Sequence, residues 1–189
     1  MHSVNNLEYR KKAIYTVLRR VLSALMKRSI LLLTVVLAAP VFAGADQAFQ
    51  TSIVSRHNAL RAKHGAPALQ WNADVAKVAQ DWAEKIARSD QMKHRQPNKY
   101  GENIFWMSGG AVTGEMVTNS WYGEIKDYNF ARPGFGMSTG HFTQVVWKGS
   151  KEIGCGVAKS RRGGTYVVCN YNPPGNYQGR FPENVAKPK

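Results

Sequence analysis

Two strand-like segments flank a polar turn in the last third of the chain, and they carry its only two cysteines. Residues 153–158 and 165–171 contain Ile, Val and Tyr, which favour strands, and KSRRGG between them has the glycines of a turn. A turn centred on Arg162 places Cys155 opposite Cys169 on the neighbouring strand. Because cross-strand partners are close enough to bridge, the sequence predicts a disulfide-linked hairpin.

The stretch Gly140–Ser150, GHFTQVVWKGS, precedes this hairpin and alternates with period 2. His141, Thr143, Val145 and Trp147 would face one way, and Phe142, Gln144 and Val146 the other. Because Val, Thr, Phe and Trp suit a buried pleated strand, the pattern predicts a central strand that is apolar on both faces and opens at His141.

Two earlier segments have the spacing of amphipathic helices. The first is predicted over Ala48–His64 and ends at Gly65, and its His57 lies on the apolar stripe as a hydrogen-bonded core residue. His64 lies about two turns, roughly 10.5 Å, further along, too far for the two rings to share one metal ion. The second helix begins after the N-cap residue Asn72 and has the clearest amphipathic pattern in the chain.

A third helix is predicted to begin after Thr113 and to continue to Tyr128. The short apolar run Ile104–Met107 is compatible with an edge strand or with a turn of helix. Glu124 borders the apolar stripe of the third helix, and a carboxylate at such a border needs a polar partner.

The residue pattern near the N-terminus predicts that the protein is secreted. Met26–Ala43 has a basic start, an apolar run and a small-residue ending, which together are typical of a signal peptide cleaved after Ala43. Residues 1–43 would then be removed, and 44–189 would form one domain. Met26 as the true initiator explains the long basic region before it. A signal-anchor or an organelle transit segment is the alternative.

The charge of the chain is strongly positive but unevenly distributed. Residues 1–43 contain seven Lys and Arg and one Glu, so residues 44–189 carry +8 of the formal +14. This balance favours anionic surfaces such as acidic lipid, polysaccharide or nucleic acid, but solubility is the simpler explanation of the charge and is preferred. The chain lacks the dense basic clusters and the zinc-binding spacing of nucleic-acid readers, so we expect no nucleic-acid partner.

Several motifs in order resemble one known family. They are HNALRAKHGAPALQW, KYGENIFW, SWYGEIKDYNF, GHFTQVVWKGS and YVVCNYNPPGNY. Together they resemble the CAP superfamily, which comprises cysteine-rich secretory proteins, antigen 5 and pathogenesis-related protein 1. The single cysteine pair and the PGF loop are most similar to the Golgi-associated animal members and the yeast secreted sterol-binding members.

The resemblance implies an α+β fold, a three-layer α-β-α sandwich around a small antiparallel sheet. It also implies a cavity lined by two histidines and two glutamates, which correspond here to His94, His141, Glu102 and Glu124. The two imidazoles would hold a divalent cation such as Zn²⁺, which is not expected to be obligatory. The alternative is a metal-free polar network. Arg95 departs from the family pattern and would add a cation near the cavity rim.

The leading function is binding of a sterol, a fatty acid or an anionic lipid surface. The aromatic and glycine-rich loop 129–139 would supply the lipid contacts, through Phe130, Pro133, Phe135 and Met137. Two alternatives stay open: an extracellular defence or host-interaction factor without a small ligand, and a metal-dependent hydrolase. Catalysis has little support, because the chain has neither G-x-S-x-G nor H-E-x-x-H. A weak homodimer is a further expectation.

Overall fold

The computed structural model describes residues 14–21 and 45–189. Residues 14–21 are helical, with exposed side chains. The predicted signal peptide over Met26–Ala43 and its cleavage site lie outside the described residues. Among the helices in the two described ranges, none combines the length and the apolar character needed to cross a membrane.

Residues 45–189 form five α-helices, one 3₁₀ helix and four strands. The helices are α1 (Gln47–Lys63), α2 (Ala73–Ser89), α3 (Gly114–Tyr122), the 3₁₀ helix Gly123–Asp127, α4 (Gly140–Val146) and α5 (Phe181–Asn184). The strands are β1 (Gln70–Trp71), β2 (Gly101–Ser108), β3 (Glu152–Lys159) and β4 (Gly164–Asn172).

The four strands form one sheet in the order β1-β3-β4-β2. The three long strands are antiparallel, and the two-residue β1 joins the edge in parallel with β3. In the β3–β4 hairpin, Cys155 lies directly opposite Cys169, and the two form a disulfide. The predicted hairpin register is therefore confirmed.

Helices cover both faces of the sheet, which confirms the three-layer architecture. On one face, α2 packs against β3 and β4 and buries an apolar cluster that includes Ala83 and Val168. Gly154 and Gly156 permit this close approach, because a Cβ at either position would collide with the α2 backbone. On the other face, α1, α3 and α4 enclose the larger cluster around Phe142.

The first two helices occur where the sequence predicts them, and each begins at a side-chain cap. The Asp46 carboxylate accepts a bond from the Phe49 amide at 2.7 Å and starts α1. The Asn72 amide oxygen accepts from the Asp74 and Val75 amides and starts α2, which confirms the predicted N-cap.

The prediction of a strand over Gly140–Ser150 is wrong, because Gly140–Val146 is helix α4. Every side chain from Phe142 to Trp147 is buried, so the segment has no solvent face that would reveal its period. Phe142, Val145 and Val146 also satisfy the i, i+3, i+4 spacing of a helix. The short apolar run was compatible with both structures, and the packing of α4 against α1 and α3 stabilises the helix.

The structure corrects one further prediction and decides another that was left open. The third helix ends at Tyr122 rather than Tyr128, and Gly123–Asp127 tightens into a 3₁₀ helix that carries Glu124. The apolar run after Tyr100 belongs to strand β2, which settles the choice between an edge strand and a turn of helix in favour of the strand.

Candidate functional site

The first histidine–glutamate pair lies where the loop after α2 meets the start of β2. Glu102 projects from the second residue of β2, and its side chain is only 4% exposed. Its Oε1 accepts bonds from His94 Nδ1 at 2.8 Å and from the Arg95 amide at 3.0 Å, and Oε2 accepts from Asn98 Nδ2 at 3.3 Å. The hydrogen bond to Glu102 raises the pKa of His94 above its usual value.

The second pair lies at the N-terminus of α4. Glu124 Oε1 accepts a bond from His141 Nδ1 at 2.7 Å, while Oε2 accepts from the His141 and Phe142 amides at 2.9 and 3.1 Å. The His141 ring also stacks on Trp121, with ring centroids 6.2 Å apart. Glu124 therefore fixes both the imidazole and the start of the helix that carries it.

The two histidines open into one cavity of about 360 Å³, although they are 47 residues apart in the chain. Its lining residues are His94, Arg95, Gln96, Asn98, Tyr100, Glu102, Asn103, Phe135, Met137, Gly140, His141 and Asn176. Three of the four residues that the family resemblance implied, His94, Glu102 and His141, line the cavity itself. Glu124 is absent from the lining and acts on the cavity through His141.

Each ring donates from Nδ1 to a carboxylate, so Nε2 carries the lone pair of the neutral imidazole. A nitrogen in this state can bind a metal ion or accept a hydrogen bond from a ligand hydroxyl. Carboxylates that hold the opposite nitrogen are the usual orienting partners of metal-binding histidines. His94 and His141 are therefore the residues that would hold a cation, with water completing its coordination. Among the described residues, no group of three or more His, Cys, Asp or Glu side chains is arranged to hold a metal ion.

The cation contributed by Arg95 is directed away from the histidines. Its guanidinium donates to Asp81 Oδ2 at 2.8 Å and lies 5.8 Å from the ring centroid of Trp82. Asp81 also pairs with Lys85 at 2.9 Å, so it offsets the charge of Arg95 only in part.

The loop residues expected to contact lipid separate into two groups. Phe135 is 46% exposed and Met137 is 89% exposed, and both line the cavity. Phe130 is half-buried instead, with its ring 4.9 Å from that of Tyr128, and Pro133 does not line the cavity. Phe130 therefore packs against the core, because the loop turns back onto the aromatic cluster beneath it.

Sequence reasoning missed the asparagines around the cavity. Asn103 Nδ2 donates to the His141 carbonyl at 3.1 Å. Asn176 donates to the Gly140 carbonyl at 2.9 Å and accepts from Thr143 Oγ1 at 2.7 Å. Both stand inside the quoted motifs, as the Asn of GEN and of GNY, but an asparagine alone predicts a turn as readily as a site.

The two histidines of α1 are separate from the cavity. His57 is fully buried, with Nδ1 bonded to the Ile53 carbonyl and Nε2 to the Tyr171 hydroxyl, which confirms the predicted core role. His64 ends the helix and bonds to the Ala186 carbonyl and the Tyr122 hydroxyl.

Comparison with known proteins places the chain in a family. The model of the cysteine-rich secretory protein (CAP) family matches residues 54–171. The chain is 41% identical over 150 residues to the human Golgi-associated plant pathogenesis-related protein 1, covering 77% of this chain and 97% of that protein. It is 43% identical over 140 residues to Protein PRY2 of Saccharomyces cerevisiae, covering 72% of this chain and 41% of the yeast protein.

A solved structure agrees with the sequence comparisons. The crystal structure of NaASP2 with Zn²⁺ superposes with a TM-score of 0.60 at 26% identity, covering 77% of this chain and 88% of that one. The sequence match and the sandwich fold agree on the family. The chain belongs to the CAP family of cysteine-rich secretory proteins.

Proposed function

We propose that the protein is a secreted lipid-binding module whose cavity accepts the polar end of a sterol or another amphipathic lipid. The observation that carries this proposal is the juxtaposition of polar side chains inside the cavity with two exposed apolar side chains at its rim. Ligand pockets commonly combine apolar surface with a few orienting polar groups, and this cavity has both.

The rim supplies the apolar contact. Phe135 and Met137 are exposed although each has a large apolar side chain, and the Phe135 ring lies close to Gly140 at the cavity edge. Covering the exposed parts with the hydrocarbon of a ligand would contribute about 1 kcal/mol for Phe135 and about 2 kcal/mol for Met137. Methionine suits such a surface, because its flexible thioether adapts to ligands of different shape.

The polar side chains supply orientation. The Nε2 atoms of His94 and His141 can accept a hydrogen bond from a lipid hydroxyl, and the amides of Asn98 and Asn103 are close by. The same two nitrogens would hold Zn²⁺ if the metal binds. The structure of NaASP2, a protein with the same fold, was solved with Zn²⁺, which supports metal binding here. At this site the cation would polarise the lipid headgroup or bind its phosphate.

The experiment compares two double variants in a fluorescent sterol-uptake assay. F135S/M137S removes the apolar rim, and M92S/M116S removes two exposed methionines, 64% and 40% exposed, that do not line the cavity. We expect the rim variant to lose about tenfold or more in affinity and the control less than about twofold. Melting temperatures should agree, since all four side chains are exposed. Equal uptake by both variants would contradict the proposal.

A further inference from the structure

A second groove lies between the loop after α1, the segment after α4 and the end of β4. Its volume is about 670 Å³, and it shares no lining residue with the histidine cavity. The lining residues are Pro67, Ala68, Gln70, Lys148, Gly149, Lys151, Glu152, Asn172 and Pro173. We call it the lysine groove.

The lysine groove carries two positive charges that form no ion pair among the described residues. Lys148 and Lys151 line it, and neither forms an ion pair with any residue in the described part of the chain. Burial lowers the pKa of His64, and the positive charges of Lys63 and Lys148 lower it further, so these two cations lie near one ring. Lys63 is exposed and likewise forms no ion pair among the described residues. The three lysines together give this side of the molecule a positive field.

One acid lines the groove, and its charge is already engaged. Glu152 accepts bonds from Asn72 Nδ2 at 2.9 Å and from Asn172 Nδ2 at 2.6 Å. Those two amide bonds lower the pKa of Glu152, so it stays ionised at neutral pH. Because Glu152 pairs with amides rather than with lysines, the lysines stay available to an external anion, which Glu152 would weakly repel.

The shape and lining of the groove indicate the class of anion. None of the large exposed apolar side chains of the described residues lines it, so it offers nothing to insert into a bilayer. It contains neither an arginine nor an aromatic ring, so it lacks the stacking groups that proteins use for nucleic-acid bases. It is concave, and the amides of Gln70 and Asn172 can bond to hydroxyl groups.

We infer that the lysine groove binds a segment of an acidic polysaccharide, with carboxylate or sulfate groups on Lys148 and Lys151 and sugar hydroxyls on the amides. This surface is independent of the lipid cavity. The protein could therefore attach to an anionic glycan while the rim at Phe135 remains open.

Calorimetry at low ionic strength with polygalacturonate and with a heparin fragment tests the inference. K148Q/K151Q removes the two lining charges, and K126Q/K159Q removes the same charge from two exposed lysines outside the groove. We expect the groove variant to bind at least one of the two polymers about tenfold more weakly and the control less than about twofold more weakly. E152Q should bind about two- to threefold more tightly, because it removes the repelling charge.

Three outcomes would overturn the inference. Equal losses in both double variants would assign the binding to net charge alone. Failure of the unsubstituted protein to bind either polymer would show that the groove does not bind acidic polysaccharide. Tighter binding to a DNA oligonucleotide or to phosphatidylserine vesicles, lost in K148Q/K151Q, would assign the groove to a different partner. Melting curves of all variants establish that the loss does not come from unfolding.

Discussion

At the scale of single residues, Arg61 is a cation that is completely buried without a carboxylate partner among the described residues. Its guanidinium donates to four backbone carbonyls, those of Pro67, Val145, Trp147 and Ser150, at 2.8 to 3.0 Å. Burial lowers the pKa of Arg61 to about 10, so it stays charged at neutral pH. One side chain therefore connects α1 to both ends of the segment that follows α4.

The first prediction is that Arg61→Lys destabilises the fold without changing its charge. The planar guanidinium donates from three nitrogen atoms, whereas a lysine ammonium has three donors on a single atom. Lysine therefore cannot bond to all four carbonyls. We expect the free energy of unfolding to fall by about 2–4 kcal/mol. Urea denaturation measures it, with Arg88→Lys as the control, because the Arg88 side chain is 69% exposed. A loss no larger than that of the control would show that the four bonds contribute little.

The second prediction concerns Zn²⁺ at the cavity. A ligand histidine must be deprotonated, and the Glu102 carboxylate raises the pKa of His94 above 6.5. Protons should therefore compete with the metal already above that pH, and affinity measured by calorimetry should fall between about pH 7.5 and about pH 5.5. H94A/H141A should abolish binding at both pH values. Unchanged affinity in this double variant would show that the cavity histidines do not hold the metal.

At the scale of elements, α4 depends on a residue outside itself. It is only seven residues long, which is too short to be stable alone. The backbone amides of His141 and Phe142, in its first turn, donate to the Glu124 carboxylate of the preceding 3₁₀ helix. That carboxylate neutralises the positive end of the helix and simultaneously holds the imidazole of His141.

The third prediction is that Glu124→Gln loosens the start of α4. The variant loses the negative charge, and the glutamine NH₂ would face the donor groups of His141 and Phe142. We therefore expect the free energy of unfolding to fall by about 1–2 kcal/mol. Glu115→Gln is the matched control, because Glu115 lies in the first turn of α3 with a side chain that is 62% exposed. Chemical denaturation that gives equal losses for both variants would refute the special role of Glu124.

Elements with local sequence signals could be predicted from the sequence, and elements that depend on distant residues could not. The β3–β4 hairpin and α1 have local signals, a turn between cysteines and a long apolar stripe, so Cys155–Cys169 and the core position of His57 were predictable. The family motifs supplied His94, Glu102 and His141, which line the cavity, and Glu124, which bonds to His141 behind it. Helix α4 has only an ambiguous local signal, because every side chain after His141 is buried up to Trp147 and its cap, Glu124, lies outside the segment. The inward turn of Phe130 likewise depends on Phe142 and Tyr128 beneath it.

At the scale of the whole molecule, one buried hydrogen-bond chain connects the helical layer, the sheet and the cavity. His57 Nδ1 on α1 donates to the Ile53 carbonyl, so its Nε2 accepts from the Tyr171 hydroxyl on β4 at 2.9 Å. Asn103 on β2 donates both to that hydroxyl at 3.3 Å and to the carbonyl of His141 at 3.1 Å. This series of hydrogen bonds requires that the imidazole of His57 be neutral.

The last prediction is that acid destabilises the fold through His57. Burial, the main cause, lowers the pKa of His57 from 6.5 to about 3, so the folded state stays neutral where the unfolded state takes up a proton. Stability should therefore fall as the pH drops below 6.5, by about 2 kcal/mol between pH 7 and pH 5 from this residue alone. His64, whose pKa is also lowered, acts in the same direction. His94, with a raised pKa, acts in the opposite direction, but its side chain is 58% exposed and its effect is screened.

His57→Gln separates this effect from general acid sensitivity. The variant should be less stable than the natural chain at neutral pH, because glutamine cannot reproduce both ring contacts, but its free energy of unfolding should change less between pH 7 and pH 5. Urea denaturation at several pH values measures both slopes. Parallel slopes would mean that the acid sensitivity comes from other groups, and the buried chain would then not require a neutral His57.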